Sequence, residues 1–139
     1  MIIGSIVNGV VIDHIPAGRG MELYYLLKLD ELDCEVALIK NAASEKRGKK
    51  DILKIGDLPV LNYDVLGYVS RDITVNIIQD GKRVRKYHPT LPERLEDVIR
   101  CKNPRCITSI ELGLKHIFRL TDPESGTYRC IYCDTRYGE

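Results

Sequence analysis

No stretch of this sequence approaches the run of about 18 apolar residues that a membrane-spanning helix needs. Nor does the N-terminus show a basic region followed by a long apolar run, so an export signal is not expected. A cytoplasmic protein with reduced thiols is the resulting expectation. A surplus of one charge is missing too. Residues 1–93 carry 13 Lys/Arg against 13 Asp/Glu, and residues 94–139 carry 8 against 7. A nucleic-acid-binding domain should show a clear basic excess, so neither part suits that role. Catalytic signatures are also absent. There is no G-x-x-x-x-G-K-[ST] phosphate loop and no G-x-G-x-x-G fingerprint. With only three histidines, no Ser-His-Asp or Cys-His arrangement is legible. Tryptophan is absent and tyrosine replaces phenylalanine almost everywhere, within a composition otherwise ordinary for a globular protein.

Cysteine is what stands out among the residues present. Cys101, Cys106, Cys130 and Cys133 follow the pattern C-x4-C, 23 residues, C-x2-C. Each short pair can be closed by a tight turn that aims two sulfurs at one point. Four thiolates on two such turns suit the tetrahedral, soft-ligand preference of Zn²⁺ and leave no open position for substrate. Two disulfides or unrelated buried thiols are the competing readings, and a reducing compartment disfavours the first of them. One structural zinc per chain is expected. A segment of residues 94–139 is too short to bury much of a core, so a metal staple makes physical sense there. Cys34 lacks a partner at ligand spacing and reads as a buried small hydrophobe.

In chain order, residues 2–7 and 9–13 read as β-strands with Gly9 as a bend, broken by Pro16-Ala17-Gly18. Leu23, Leu26 and Leu27 fall on one face of a helix from about Arg19 to Leu29. Residues 34–40 alternate as a strand. Residues 41–50 are polar and basic and read as a solvated loop, and residues 51–55 as another strand. A short helix is expected in residues 61–69. Ile73, Val75 and Ile77 alternate with polar Thr74 and Asn76, and Asp80-Gly81 then marks a tight hairpin into a strand of residues 82–88. The double proline Pro89/Pro92 reads as a domain boundary. Beyond it, alternation over residues 110–120 and the turn at 122–126 predict a hairpin carrying the second cysteine pair. The expected architecture is an α+β domain with a mostly antiparallel sheet, then a small β-rich zinc domain.

The first domain offers a weaker constellation. Asp13-His14 lies at a strand end, where a carboxylate and an imidazole can serve hydroxyls and phosphates, although a surface pair is the blander reading. Lys54 sits on an apolar strand, where a snorkelling lysine is the alternative. Lys86 belongs to the run KRVRK, which could simply protect an edge strand. Asn76 interrupts the clearest strand. Together they could form a pocket for an anion bearing sugar hydroxyls.

The strings VIDHIPAG (Val11–Gly18), KKDILKI (Lys49–Ile55), TVN (Thr74–Asn76), LPER (Leu91–Arg94) and CKNPRC…CIYC occur in this order. Together they resemble the regulatory chain of aspartate carbamoyltransferase. The resemblance implies a ferredoxin-like nucleotide-binding domain over residues 1–91 and a zinc domain over residues 92–139. It implies a non-catalytic subunit of pyrimidine biosynthesis that pairs with itself through the first domain and docks on the catalytic chain through the second. ATP and CTP would be its effectors. By the same resemblance, Asp13 and Lys54 would hold ribose and base, Lys86 and His14 would meet phosphates, Asn76 would line the pocket, and backbone near Ile6 would read the base edge. Better-known members also carry residues ahead of the position of Met1, one of them basic and reaching the nucleotide. This chain begins at its first strand, and a weaker nucleotide contact is the expectation. In the zinc domain, Lys102, Asn103 and Arg105 on the metal-braced C-x4-C turn would offer polar docking contacts. A stand-alone zinc ribbon binding nucleic acid is the alternative, and a small metalloenzyme is disfavoured because four thiolates saturate zinc.

Overall fold

The computed structural model describes residues 7–46 and 48–138. The chain divides into two compact units, Met1–Thr90 and Leu91–Glu139. In the first, β1 (Gly9–Pro16), β2 (Val36–Ser44), β3 (Gly48–Ile55), β4 (Thr74–Gln79) and β5 (Lys82–Tyr87) form one sheet in the order β2-β3-β1-β4-β5. Every pairing in it is antiparallel. Helix α1 (Gly20–Leu26) connects β1 to β2, and α2 (Leu66–Val69) connects β3 to β4. Setting β5 aside, this is the βαββαβ order of a ferredoxin-like sandwich, as expected.

Alternation explains the layering. Val10, Ile12, Leu53, Ile55, Val75 and the preceding Ile73 are all at most 1% exposed, as are Leu23 of α1 and Leu66 of α2. The interleaved Val11, Asp13, Lys54 and Asn76 lie on the other, half-buried face. That face carries the polar residues, and the site is built on it.

One buried carboxylate ties the sheet to α1. Asp51 is fully buried and accepts backbone N–H groups from Gly18 (3.1 Å) and Gly20 (2.9 Å) on Oδ2, and from Asn41 (3.0 Å) on Oδ1. A Cβ on Gly20 would come within 2.8 Å of that same Oδ2 and 2.5 Å of Leu38. The glycine is there for close approach.

The segment leading to the unit boundary packs as tightly. A Cβ on Gly67 of α2 would stand 2.1 Å from the carbonyl oxygen of Thr90 and 2.5 Å from its carbon. Backbone cannot yield as a side chain does. Gly67→Ala is therefore expected to cost about 1–3 kcal/mol through overpacking, despite alanine's better helix propensity. A denaturation midpoint equal to or above wild type would contradict this.

Several elements differ from expectation. The polar stretch 41–50 is a hairpin rather than a loop, since β2 runs to Ser44 and β3 starts at Gly48. Ladder hydrogen bonds need no apolar side chains, and Gly48 at φ +77° turns the chain. Helix α1 is shorter than the leucine spacing suggested. Lys28 at φ +56° ends it, and a 3-10 turn follows at Leu29–Glu31. In place of one helix over 61–69, a 3-10 turn (Tyr63–Val65) precedes α2. Cys34 is half-buried rather than buried. The strand read in residues 2–7 lies, apart from Val7, outside the described residues. The Asp80-Gly81 hairpin is as anticipated, with both residues at positive φ.

In the second unit, β6 (Arg94–Glu96), β7 (Ile117–Asp122) and β8 (Thr127–Cys130) form an antiparallel sheet in the order β6-β7-β8. The alternation over 110–120 does not become one strand. Helix α3 (Ile107–Ile110) takes its start, and Ile110 (68% exposed) and Leu112 (90%) face no core. The described core is small: Leu95, Ile99, Phe118 and Tyr128, whose hydroxyl donates to the Pro92 carbonyl at 2.6 Å. No helix among the described residues is long and apolar enough to cross a membrane.

Candidate functional site

The four cysteine sulfurs converge in the second unit, all within 4.8 Å of one another. Cys101 Sγ lies 3.6 Å from Cys133 Sγ, and Cys106 Sγ lies 3.7 Å from Cys130 Sγ. A disulfide needs about 2.05 Å, and none of the cysteines is bonded to another. With Zn–S bonds of about 2.3 Å, a regular tetrahedron has sulfur–sulfur edges of about 3.8 Å. The observed spacings match the metal geometry.

Local backbone makes each knuckle. Cys106 N–H donates to the Asn103 carbonyl at 3.1 Å, and Arg105 N–H to Asn103 Oδ1 at 3.0 Å, closing the first turn. In the second, Asp134 at φ +63° lets its N–H reach the Cys130 carbonyl at 2.8 Å. Asn103 Nδ2 donates to Thr135 Oγ1 at 3.2 Å, joining the two knuckles. Around the sulfurs, Thr108 Oγ1 donates to Cys106 Sγ at 3.1 Å and the Cys101 N–H donates to His116 Nδ1 at 3.2 Å. Burial pushes the Cys101 and Cys130 thiols up. Burial pulls Cys133 the same way, but hydrogen bonds with the Thr135 side chain and backbone and with Asn103 bring it below an ordinary thiol. Only a cation at the centre makes four ionised sulfurs affordable in so small a space.

Of the expected docking residues, Lys102 and Arg105 are exposed, whereas Asn103 is half-buried and spends its amide as the brace between knuckles. A cavity of about 330 Å³ opens beside them, bounded by Lys102, Phe118, Arg136 and Tyr137.

In the first unit, a cavity of about 250 Å³ is lined by His14, Ile15, Ser44, Lys46, Lys50, Asp72, Thr74, Lys86 and His88. His14 occupies a bulge where the β1–β3 register shifts, at φ +59°, which is unusual for a non-glycine residue. Its N–H donates to Asp13 Oδ1 at 2.6 Å, and its Nδ1 lies 2.6 Å from Thr74 Oγ1. Asp13 also takes the Lys50 ammonium, 3.0 Å from Oδ1. Burial lowers the His14 pKa. Asp13 pulls it up, and Lys50, Lys46 and Lys86 each push it further down.

His14 and Lys86 line the cavity, and Asp13 borders it through Lys50. Lys54 and Asn76 do not line it. They lie in one row across the sheet with Lys86, because Lys54 pairs with Val11, Val11 with Asn76, and Asn76 with Lys86. Directly paired residues share a face. Asn76 Nδ2 donates to the Val11 carbonyl at 3.1 Å. Ile6 lies outside the described residues. Sequence reasoning missed Ser44, Lys46, Lys50, Asp72, Thr74 and His88. The glycine inside a lysine-rich run, K-R-G-K-K, was the one available signal, since it allows a hairpin that returns lysines to the sheet.

Comparison with known proteins bears on both units. The family model for "Aspartate carbamoyltransferase regulatory chain, allosteric domain" matches residues 1–90. The model for the metal binding domain of that regulatory chain matches residues 93–139. An aspartate carbamoyltransferase regulatory chain of Clostridium botulinum is 50% identical over 97% of this chain and 92% of its own length. The one from Clostridium acetobutylicum is 49% identical over the same shares. That of Bifidobacterium longum is 47% identical over 96% of each. A match over both units overturns the alternative of a stand-alone zinc ribbon.

Proposed function

The chain belongs to the family of aspartate carbamoyltransferase regulatory chains, and from that premise we propose how its two domains divide the work. It is a non-catalytic chain with an allosteric domain and a metal-binding domain. In the proposed division, residues 1–91 bind nucleoside triphosphates, with ATP and CTP competing for one site. Residues 92–139 hold one structural zinc through Cys101, Cys106, Cys130 and Cys133 and dock on the catalytic chain. Self-pairing runs through the first domain, and the holoenzyme works in the cytoplasm.

The single observation that carries the nucleotide reading is the polar row ending at the lysine-lined cavity. From Lys54 to Lys86 the row crosses three strand spacings, about 14 Å, comparable to the reach from a base to the terminal phosphate of an extended nucleotide. Triphosphate suits the Lys46, Lys86 and His14 end, where several cations meet. Asp13 and Lys54 would serve ribose and base, and Asn76 would line the site between the two ends. Backbone near Ile6 would read the base edge. Asp13 already holds Lys50, so a ribose hydroxyl would share that carboxylate. Lys102 and Arg105 would make polar contacts to the catalytic chain, with Asn103 keeping their turn rigid.

Binding alone confers no regulation. A nucleotide shifts the holoenzyme only through unequal affinity for its two states. Calorimetry on the full chain tests the pocket. ATP and CTP should each bind with a stoichiometry near one and displace one another. Lys86→Ala should weaken both by about one to two orders of magnitude without altering zinc content. Simultaneous independent binding, or a variant that binds like wild type, would refute the pocket. A pull-down asks the partner question: a carbamoyltransferase catalytic chain should co-purify and should be released when zinc is stripped.

A further inference from the structure

The cavity of the first domain contains two imidazoles among its lysines. His14 enters from β1, and His88 follows directly on β5, two residues after Lys86, so that both line one space. We propose that polyphosphate binding at this cavity is coupled to proton uptake by His14 and His88, with His88 a phosphate-contacting residue in its own right. This deepens the nucleotide reading and rests on it.

The coupling follows from what surrounds His14. Its Nδ1 is engaged by the Thr74 hydroxyl of β4 at 2.6 Å. Lys50 of β3, Lys46 in the β2–β3 turn and Lys86 of β5 all disfavour a charged ring, and burial acts with them. Asp13 opposes them but is itself paired with Lys50 at 3.0 Å. Asp72 adds one carboxylate to the wall of the cavity. Burial and the lysines around the cavity therefore repel a proton from His14. With these groups alone around it, the ring binds that proton less readily in the folded chain than in the unfolded one. The stability His14 contributes is thus present above its ordinary value of 6.5 and declines as pH falls below it.

A polyphosphate laid among the lysines reverses this field. Its negative charge offsets the three ammonium groups and favours imidazolium over imidazole. His88 is exposed at the cavity wall and meets the same charge. The ligand's own chemistry gives the opposite sign, because a terminal phosphate beside cations sheds its last proton. Uptake that depends on the imidazoles is therefore diagnostic.

The test is ATP titration calorimetry on the full chain, in buffers of different ionisation enthalpy. Wild type is compared with His14→Gln, His88→Gln and the double variant. Wild type should take up about 0.5–1 proton more per ATP than the double variant near neutral pH, with each single variant between. Its affinity advantage over the double variant should grow about three- to tenfold from about pH 8 to about pH 6.5, within the limit of tenfold per pH unit per linked proton. Equal proton numbers in wild type and double variant would overturn the coupling and leave the nucleotide site standing. Uptake lost with His14→Gln alone would remove His88 from the assignment. No ATP binding by wild type at any pH would overturn the site and the coupling together.

Discussion

A Cys130→Ser chain is expected to lose its metal and, with it, the fold of residues 94–139. Cys130 ends β8 at 1% exposure, with its sulfur 3.7 Å from that of Cys106. Serine offers a harder, shorter donor that stays protonated, so the tetrahedral set is broken. The rest of the domain cannot compensate. Its described core is four large side chains, and two of its strands have only three and four residues. Zinc binding in such small modules is worth about 10–16 kcal/mol and amounts to folding energy. Metal analysis should return near one zinc per wild-type chain and near none per variant. Limited proteolysis should then cut at Arg119 and Arg129 while residues up to Thr90 stay protected. Equal zinc content, or equal protection of the second domain, would defeat the assignment.

What the sequence made legible was local. The cysteine spacing is short-range information, as are the alternation through Val75 and the Asp80-Gly81 turn, and each appears in the fold as expected. Misread segments share a cause: composition stood in for pairing. The stretch 41–50 looks like loop because most of its side chains are polar or charged, yet the backbone of residues 42–44 pairs with residues 48–50. Ile110 and Leu112 look like core because they are apolar, yet both face outward. The phosphate end of the proposed pocket was hidden for a further reason. Ser44, Lys46, Lys50, Thr74 and His88 come from separate strands and turns, and only the order β2-β3-β1-β4-β5 brings those elements side by side. Sequence patterns report which face a residue takes, but not which neighbours cross the sheet to meet it.

Asp51 is the clearest case of a residue whose importance no pattern announces, and its removal should produce the largest stability loss in the first domain. In the string KKDILKI it reads as the polar start of a strand. In the fold it is fully buried, and three backbone N–H groups from two other segments converge on its oxygens. Gly18 and Gly20 lead into α1, while Asn41 sits at the β2 bulge with φ +58°. The carboxylate thus fixes the entry of the helix and the kink of a strand at once. Asp51→Ala would orphan the buried Gly20 N–H and strip the partly buried Gly18 and Asn41 N–H groups of a charged acceptor, at a combined cost of about 3–5 kcal/mol. That is a large share of the about 5–15 kcal/mol that holds a typical domain together. Asp51→Asn should fall between the two. It keeps one acceptor oxygen but turns an amide toward one of the N–H groups, at a cost of about 1–3 kcal/mol. Lys50 is the neighbouring residue and holds Asp13 at the cavity, so nucleotide affinity should fall along with stability. Zinc content should stay near one per chain, which separates this lesion from damage to the cysteine site. An Asp51→Ala chain whose urea midpoint matches wild type would show that the three N–H groups find other partners, and that the carboxylate does not organise the domain.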